Sequence, residues 1–381
     1  MPLPSIAVDV LVVGAGLAGL RAATGLARCG HDVLLVDRRR ALDVAVRTTG
    51  IFVRKTLDDF PLPEACLGPP IRRVALYPPG LRRPVVLDSP RDEFRVGDMG
   101  PLYLAAARDA EAAGVLLALG TRYEGRDAGV HRLTGPAGPL RVRARFLVGA
   151  DGARSRVAAE LGLDRNRHLL IGAEEVFAVP EHDRTPTFHC VLDPRLAPGY
   201  LAWVVDDGRH AHVGVAGYAA RFPDGMTTAL RRFSATAPGL EAVRRPDDVE
   251  RRGGPIPVGG LLARIGRADG LLVGDAAGAV SPLTAGGLDP CLRLSDHAVE
   301  VLDDALRTGR PPAHYDGAAL RARFRGRLAM RRALAAVRTP LVAEAGFALL
   351  RTPPGRAAAR AVLFGDRSFP DPARVPEAAR P

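Results

Sequence analysis

Lysine is nearly absent. Of the 53 lysines and arginines only Lys55 is a lysine, so the formal charge of +11 is carried by arginine, most of it scattered and not interleaved with aromatics. That distribution argues against nucleic-acid binding and suggests a GC-rich genome filling surface positions with arginine codons. The charge does favour anionic lipid headgroups or a diphosphate-bearing substrate. Aromatics are only 5%, with one tryptophan, so the core is one of Ala, Val and Leu. The four cysteines, Cys29, Cys66, Cys190 and Cys291, form no CxxC pair, which excludes a zinc ribbon or disulfide framework and suits a reducing cytosol. No uncharged apolar run reaches the roughly 18 residues needed to cross a bilayer. The apolar N-terminus lacks a basic flank and is interrupted by Asp9, unlike a signal peptide. A cytoplasmic protein is expected, possible membrane contact being peripheral.

Other chemistries are missing too. The nine histidines form no metal-ligand group; His210 and His212 alternate on an expected strand and are read as solvent-side residues. There is no GxSxG, and Lys55 lacks the glycine-rich approach of a Walker lysine.

What is present is a globular composition, 47% hydrophobic and 25% charged over 381 residues, long enough for two intertwined domains. Residues 8–13 read as a buried strand, Gly14-Ala15-Gly16-Leu17-Ala18-Gly19 as a turn into a helix ending near Cys29, and 31–37 as a second strand ending on Asp37: a βαβ unit. Residues 71–88 suggest a hairpin and 101–113 a helix closed by Gly114. Residues 166–258 are richer in β-branched residues and turns and are expected to form an antiparallel sheet. A helix is expected over 287–306, and beyond Pro311 an Arg-rich helical region broken by Pro340 and Pro353-Pro354, with a tail fraying from Arg367.

Three motifs carry chemistry. A pyrophosphate at a helix N-terminus needs backbone N–H groups within reach, so side chains must vanish there. Gly14 permits the tight turn, Gly16 close approach alongside Leu17 and Ala18, and Gly19 helix-on-strand packing; Asp37, followed by Arg38, places a carboxylate for ribose hydroxyls. Leu272-Val273-Gly274-Asp275-Ala276-Ala277-Gly278, then Pro282 and Gly286-Gly287-Leu288, bring a strand, an acid and a glycine-rich turn into a helix, a second cradle. The third motif is Gly149-Ala150-Asp151-Gly152.

In this order the motifs resemble the FAD-dependent oxidoreductases with the para-hydroxybenzoate hydroxylase fold, over roughly the first 310 residues. The resemblance implies an α/β architecture: a Rossmann-like FAD-binding domain (1–70, 96–165 and 259–310) interleaved with an antiparallel β-sheet substrate domain (71–95 and 166–258), then a helical C-terminal region (311–381). It implies that Asp275 meets the flavin's ribityl chain, that the Gly286–Leu288 turn offers backbone N–H groups to the ring, and that Asp151 lies near the cofactor. Arg47 resembles the arginine that reaches the flavin, a solvated surface arginine being the alternative. Ala158 replaces the arginine that usually follows the Asp151 loop.

Gly278, Gly286 and Asp289 stand where aromatic hydroxylases carry His, Gln and Asn, and the run GDAAGAVSPLTAGGL is similar to the geranylgeranyl reductase branch. So is Pro198-Gly199-Tyr200-Leu201-Ala202-Trp203 with Gly214 and Gly217, although Tyr200 stands three residues before Trp203 where the branch has two, and Arg47-Thr48-Thr49-Gly50 lacks the branch's cysteine. The resemblance implies hydride transfer from flavin N5 to an isoprenoid C=C bond, with Tyr200 and Trp203 as the catalytic candidates, a hydrophobic small-molecule substrate, and NADPH or an electron-donor protein as the source of electrons. A FAD monooxygenase of an aromatic or polyketide-like substrate is the alternative; a flavin-free prenyl chaperone is disfavoured by the complete cradle. The arginines of 321–338 surround their helix and offer either peripheral contact with anionic lipid or stems laid over the core.

Overall fold

Parallel strands covered on both faces have no polar side, and the strand Ser5–Val13 follows that rule, with Val10–Val13 buried. The computed structural model describes residues 5–365 apart from 181–184, 241–242, 244–245, 247, 313–314 and 323; the tail expected to fray from Arg367 lies outside the described residues. Ser5–Val13 lies between Gly138–Gly149 and Val33–Asp37, parallel to both. Leu116–Leu119 and Gly270–Leu272 extend the sheet on either side, also in parallel. Helix Leu17–Arg28 follows the first strand and packs on Leu288–Thr308 and Met99–Ala112. The carboxyl end of this sheet is where α/β folds bind nucleotides.

The second sheet has seven strands in the order Glu250–Pro257, Leu169–Ala178, His210–Gly217, Ala202–Asp206, Thr187–Val191, Arg73–Tyr77 and Val85–Asp88. It is mixed rather than purely antiparallel, because Thr187–Val191 runs parallel to Arg73–Tyr77. These two strands come from distant parts of the chain, so no hairpin forces them to oppose.

Alternation along His210–Gly217 divides its residues cleanly. Ala211, Val213 and Val215 join the apolar cluster that includes Leu230 and Phe233 of helix Met226–Ser234. His212, Gly214 and Ala216 face the other way, toward Trp203 and Tyr200. The solvent-side reading of His212 is therefore wrong: the strand is central and covered on both faces, and His212 is buried. His210, at the strand's end, is half-exposed.

The C-terminal region forms helices Gly317–Ala322, Arg325–Ala336, Pro340–Leu350 and Pro353–Leu363. Pro340 and Pro353 start helices, behind Thr339 and Thr352, whose hydroxyls accept from the first turn. Phe347, Ala359 and Phe364 of this region share a cluster with Ile71, Leu76 and Trp203, so the region closes over one face of the seven-stranded sheet.

Candidate active site

Three glycines shape the first turn for different reasons. Gly14 has φ +107°, and a Cβ there would lie 2.3 Å from the Ala150 carbonyl oxygen; one on Gly19 would lie 1.8 Å from the Gly14 oxygen. These two are fixed by packing. Gly16, which caps helix Leu17–Arg28 without a side-chain bond, faces nothing within 4 Å. The open space is thus at the helix start, where Gly16, Leu17 and Ala18 end the chain's approach and the dipole favours an anion.

Asp37 closes this corner. Its carboxylate accepts the Ala15 N–H at 2.8 Å and the Arg39 N–H at 2.8 Å, and Arg39 also binds it through its guanidinium. Burial pushes its pKa up, but the Arg39 and Ala15 donors outweigh this and hold the carboxyl below its ordinary value. Among the three consecutive arginines, Arg39 does this work, stacked also on Tyr103, while Arg38 points outward and is exposed.

The second turn meets the first. Gly274 has φ +57°, and a Cβ on it would lie 2.7 Å from the Ala18 Cβ. Asp275 follows on a tight turn; its carboxylate has no hydrogen-bond donor among the described residues, and burial alone pushes its pKa up to about 6. A partly exposed acid without a donor from the chain marks a place for hydroxyl groups from outside it. Pro282 is buried in the turn that follows. The acid lies beside Gly287, whose Cβ position is 3.5 Å from Asp275 Oδ1, and Gly286-Gly287-Leu288 opens helix Leu288–Thr308. Asp289 turns away, accepting from Thr56 and Arg293. Asn166 ties two loops together by donating to the carbonyls of Ala153 and Asp275.

Asp151 is bound within its own loop: it accepts from the Ser155 hydroxyl and from the Arg156 and Val157 N–H groups, fixing the start of helix Arg156–Glu160. Arg47 is exposed, with its stem near Gly254 of the second sheet.

On the other side of this corner, Trp203 lies flat over Gly214, where a Cβ would fall 2.1 Å from the ring, and Gly217 makes the same allowance for Pro198. Tyr200 lies in the turn before strand Ala202–Asp206, after Gly199 at φ +79°. Strand alternation therefore does not apply to it, and both aromatics reach one apolar cluster despite the spacing of three. The Tyr200 hydroxyl donates to the Thr284 carbonyl at 2.5 Å, so the aromatic pair abuts the turn that leads into Gly286-Gly287-Leu288; burial pushes its pKa up. The Trp203 indole N–H donates to Glu174 at 3.1 Å, and Thr49 donates to the same oxygen at 2.6 Å.

His212 sits between Asp207, at 3.2 Å, and Glu174, at 3.8 Å. Burial alone would lower its pKa, but the two carboxylates push it up to about 9. Against burial, His212 helps hold Glu174 below its usual value and Asp207 down at about 2. A cavity of about 720 Å³ opens beside this group, bounded by Asp43, Asp98, Asp207, His210, Glu250 and Arg252 among others. Pro101, Val176, Phe177 and Ala178 also line it, so its walls are mixed; Tyr200, Trp203 and the C-terminal helices share a separate, buried apolar cluster. Sequence reasoning missed Arg39, Asn166, Glu174 and His212. Alternation placed His212 on a face, but no signal told which face was covered. Among the described residues no group of His, Cys, Asp or Glu is arranged to hold a metal ion, and no helix is long and apolar enough to cross a membrane.

Comparison with known proteins adds to this geometry. Two FAD binding domain families match, over residues 9–52 and 108–225. Digeranylgeranylglycerophospholipid reductase 1 of Methanopyrus kandleri is 33% identical over 318 residues, 81% of this chain and 83% of that protein. Geranylgeranyl diphosphate reductase of Rhodobacter capsulatus is 28% identical over 319 residues, 80% of this chain and 77% of that protein. A geranylgeranyl bacteriochlorophyll reductase-like protein from Thermoplasma acidophilum has the same fold, with a TM-score of 0.82 at 20% identity over 98% of this chain and 100% of that one. The residues present fit FAD: open space over Gly16, a carboxylate at Asp37, an acid without a donor at Asp275 and a helix start at Gly287.

Proposed function

The chain belongs to the geranylgeranyl reductase family of FAD-dependent oxidoreductases, and from that premise we propose that it reduces C=C bonds of an isoprenoid chain, geranylgeranyl or a prenylated lipid or quinone. The observation that carries this reading is the buried apolar cluster around Tyr200 and Trp203, joined to the cofactor turn by the Tyr200–Thr284 hydrogen bond. FAD, bound and reduced, supplies a hydride to one alkene carbon, and a proton completes the other.

In this reading Gly14, Gly16, Leu17, Ala18 and Gly19 present backbone to the pyrophosphate. Asp37, held by Arg39 while Arg38 stays in solvent, serves a ribose; Asp275 serves the ribityl chain; and Gly274, Pro282, Gly286, Gly287 and Leu288 shape the seat of the ring, with Arg47 and Asp151 at its margin. Tyr200 and Trp203 wall the substrate space. Because the Tyr200 proton is committed to Thr284, Tyr200 is a positioning residue, and the protonated His212, coupled through Glu174 to Trp203, is the proton store on this side. NADPH or a carrier protein supplies the electrons. The buried Ala158, which leaves no cation at its position, favours the carrier protein.

The test is anaerobic. Protein reduced with dithionite is expected to regain its oxidised flavin band when geranylgeranyl diphosphate is added, and not when the saturated chain is added. A band that returns only with oxygen overturns the reading.

Substrate access from a bilayer is part of the proposal. On helix Pro340–Leu350, Leu341, Val342 and Leu349 are 82%, 53% and 67% exposed, and exposed Arg332 and Arg338 precede them. An apolar helix face flanked by arginines suits an anionic lipid surface. Replacing both Leu341 and Leu349 with Glu is expected to cut co-sedimentation with anionic phospholipid vesicles by about 10-fold; unchanged binding refutes this surface.

A further inference from the structure

Helix Arg325–Ala336 has one fully buried side chain, and it is Arg331. The residue is 3% exposed, yet Nε, Nη1 and Nη2 all lack a hydrogen-bond partner. Its guanidinium lies 5.4 Å from the centre of the Tyr200 ring and 6.0 Å from that of Tyr218. Taking a cation out of water without an acceptor is costly, and ring faces offset only part of that cost. An apolar residue at this position would serve a packed helix better.

Two more arginines converge here. Arg327, one turn earlier on the same helix face, donates to Ser281 Oγ at 3.1 Å, on the turn that carries Thr284. Arg221 lies over Tyr218 at 4.3 Å and donates to the Ala335 carbonyl. Neither Arg331 nor Arg221 pairs with a carboxylate among the described residues. Burial lowers the pKa of Arg331, opposed by Tyr218 and Tyr200 and reinforced by Arg221. Arg331 is thus a desolvated cation without a carboxylate, beside the Tyr200 and Tyr218 rings, with two partly buried arginines next to it.

We propose that Arg331, flanked by Arg327 and Arg221, seats the phosphate of the isoprenoid substrate. This rests on the reductase reading and narrows it: the substrate carries a phosphate, as a diphosphate or a phospholipid head, rather than a neutral alcohol or quinone. A guanidinium matches phosphate through paired N–H donors, and a dry site strengthens each bond.

The test compares wild type with Arg331→Met and Arg331→Lys, each loaded with FAD, and reads binding before turnover. Wild type is expected to gain thermal stability with geranylgeranyl diphosphate and, less, with inorganic diphosphate; digeranylgeranylglycerophospholipid tells a lipid head from a free diphosphate end. Arg331→Met is expected to bind geranylgeranyl diphosphate about 10- to 100-fold more weakly while its affinity for geranylgeraniol changes about 3-fold at most. Arg331→Lys is expected to recover part of the loss. Without ligand, Arg331→Met is expected to melt no lower than wild type, since it removes an uncompensated buried cation. Equal losses for diphosphate and alcohol, or a lower melting temperature without ligand, overturn the proposal and leave Arg331 as a packing element. If geranylgeraniol reoxidises the reduced flavin as well as its diphosphate does, the reductase stands and the phosphate site falls. If neither reoxidises it but the diphosphate binds through Arg331, the reductase reading fails instead.

Discussion

Gly16→Ala is expected to leave stability within about 0.5 kcal/mol of wild type while weakening FAD by at least about 10-fold. The added methyl meets no protein atom within 4 Å and occupies the space at the helix start. Gly19→Ala is expected to do something different. Its Cβ would fall 1.8 Å from the Gly14 carbonyl oxygen, so helix and strand must separate, at roughly 3 kcal/mol or more. Urea denaturation of the FAD-free variants, set beside FAD titration followed by flavin fluorescence, separates the two effects. Wild-type FAD affinity in Gly16→Ala would place the pyrophosphate elsewhere.

The second large effect concerns His212. Its folded pKa of about 9 lies above the ordinary 6.5, so its contribution to stability is complete below about pH 6.5 and is lost as pH rises through about 9. A loss on the order of 3 kcal/mol is expected across that window. Asp207 and Glu174 are shifted the other way, so their contribution is present above their ordinary values and lost as pH falls through the lowered ones. His212→Gln leaves the buried Glu174 and the half-buried Asp207 without their shared histidine, a cost of about 3 kcal/mol near neutral pH. The variant is expected to lose the alkaline decline and to recover toward wild type in mild acid, where the carboxylates take up protons. Urea midpoints from pH 5 to pH 10 check both signs. A variant that keeps the alkaline decline would mean that another group titrates there.

The glycine-rich turn, the acid at Asp37 and the turn at Asp275 were legible in the sequence because each answers a backbone requirement that few residue types satisfy. The resemblance carried by those motifs implied two sheets built from alternating stretches of the chain, and the strand order has that form. Side-chain direction was less legible. Three consecutive arginines follow Asp37, and which one turns back on it depends on the path of the loop; the structure puts Arg39 there and Arg38 in solvent. The spacing of Tyr200 and Trp203 looked unfavourable until the turn at Gly199 removed Tyr200 from the strand. A helical wheel spread the arginines of 321–338 evenly, and only packing against Tyr200 and Tyr218 singles out Arg331. His212 was misread for the same reason: periodicity assigns a face, while burial depends on what another part of the chain lays over it.

The most direct measurement is the mass of the product formed by the reduced, FAD-loaded protein with a geranylgeranyl phosphate ester, with and without oxygen. A reductase gives a product heavier by two hydrogens for each bond reduced, formed equally well when oxygen is excluded. A product heavier by one oxygen atom, appearing only when oxygen is admitted, would contradict it and make the protein a hydroxylase.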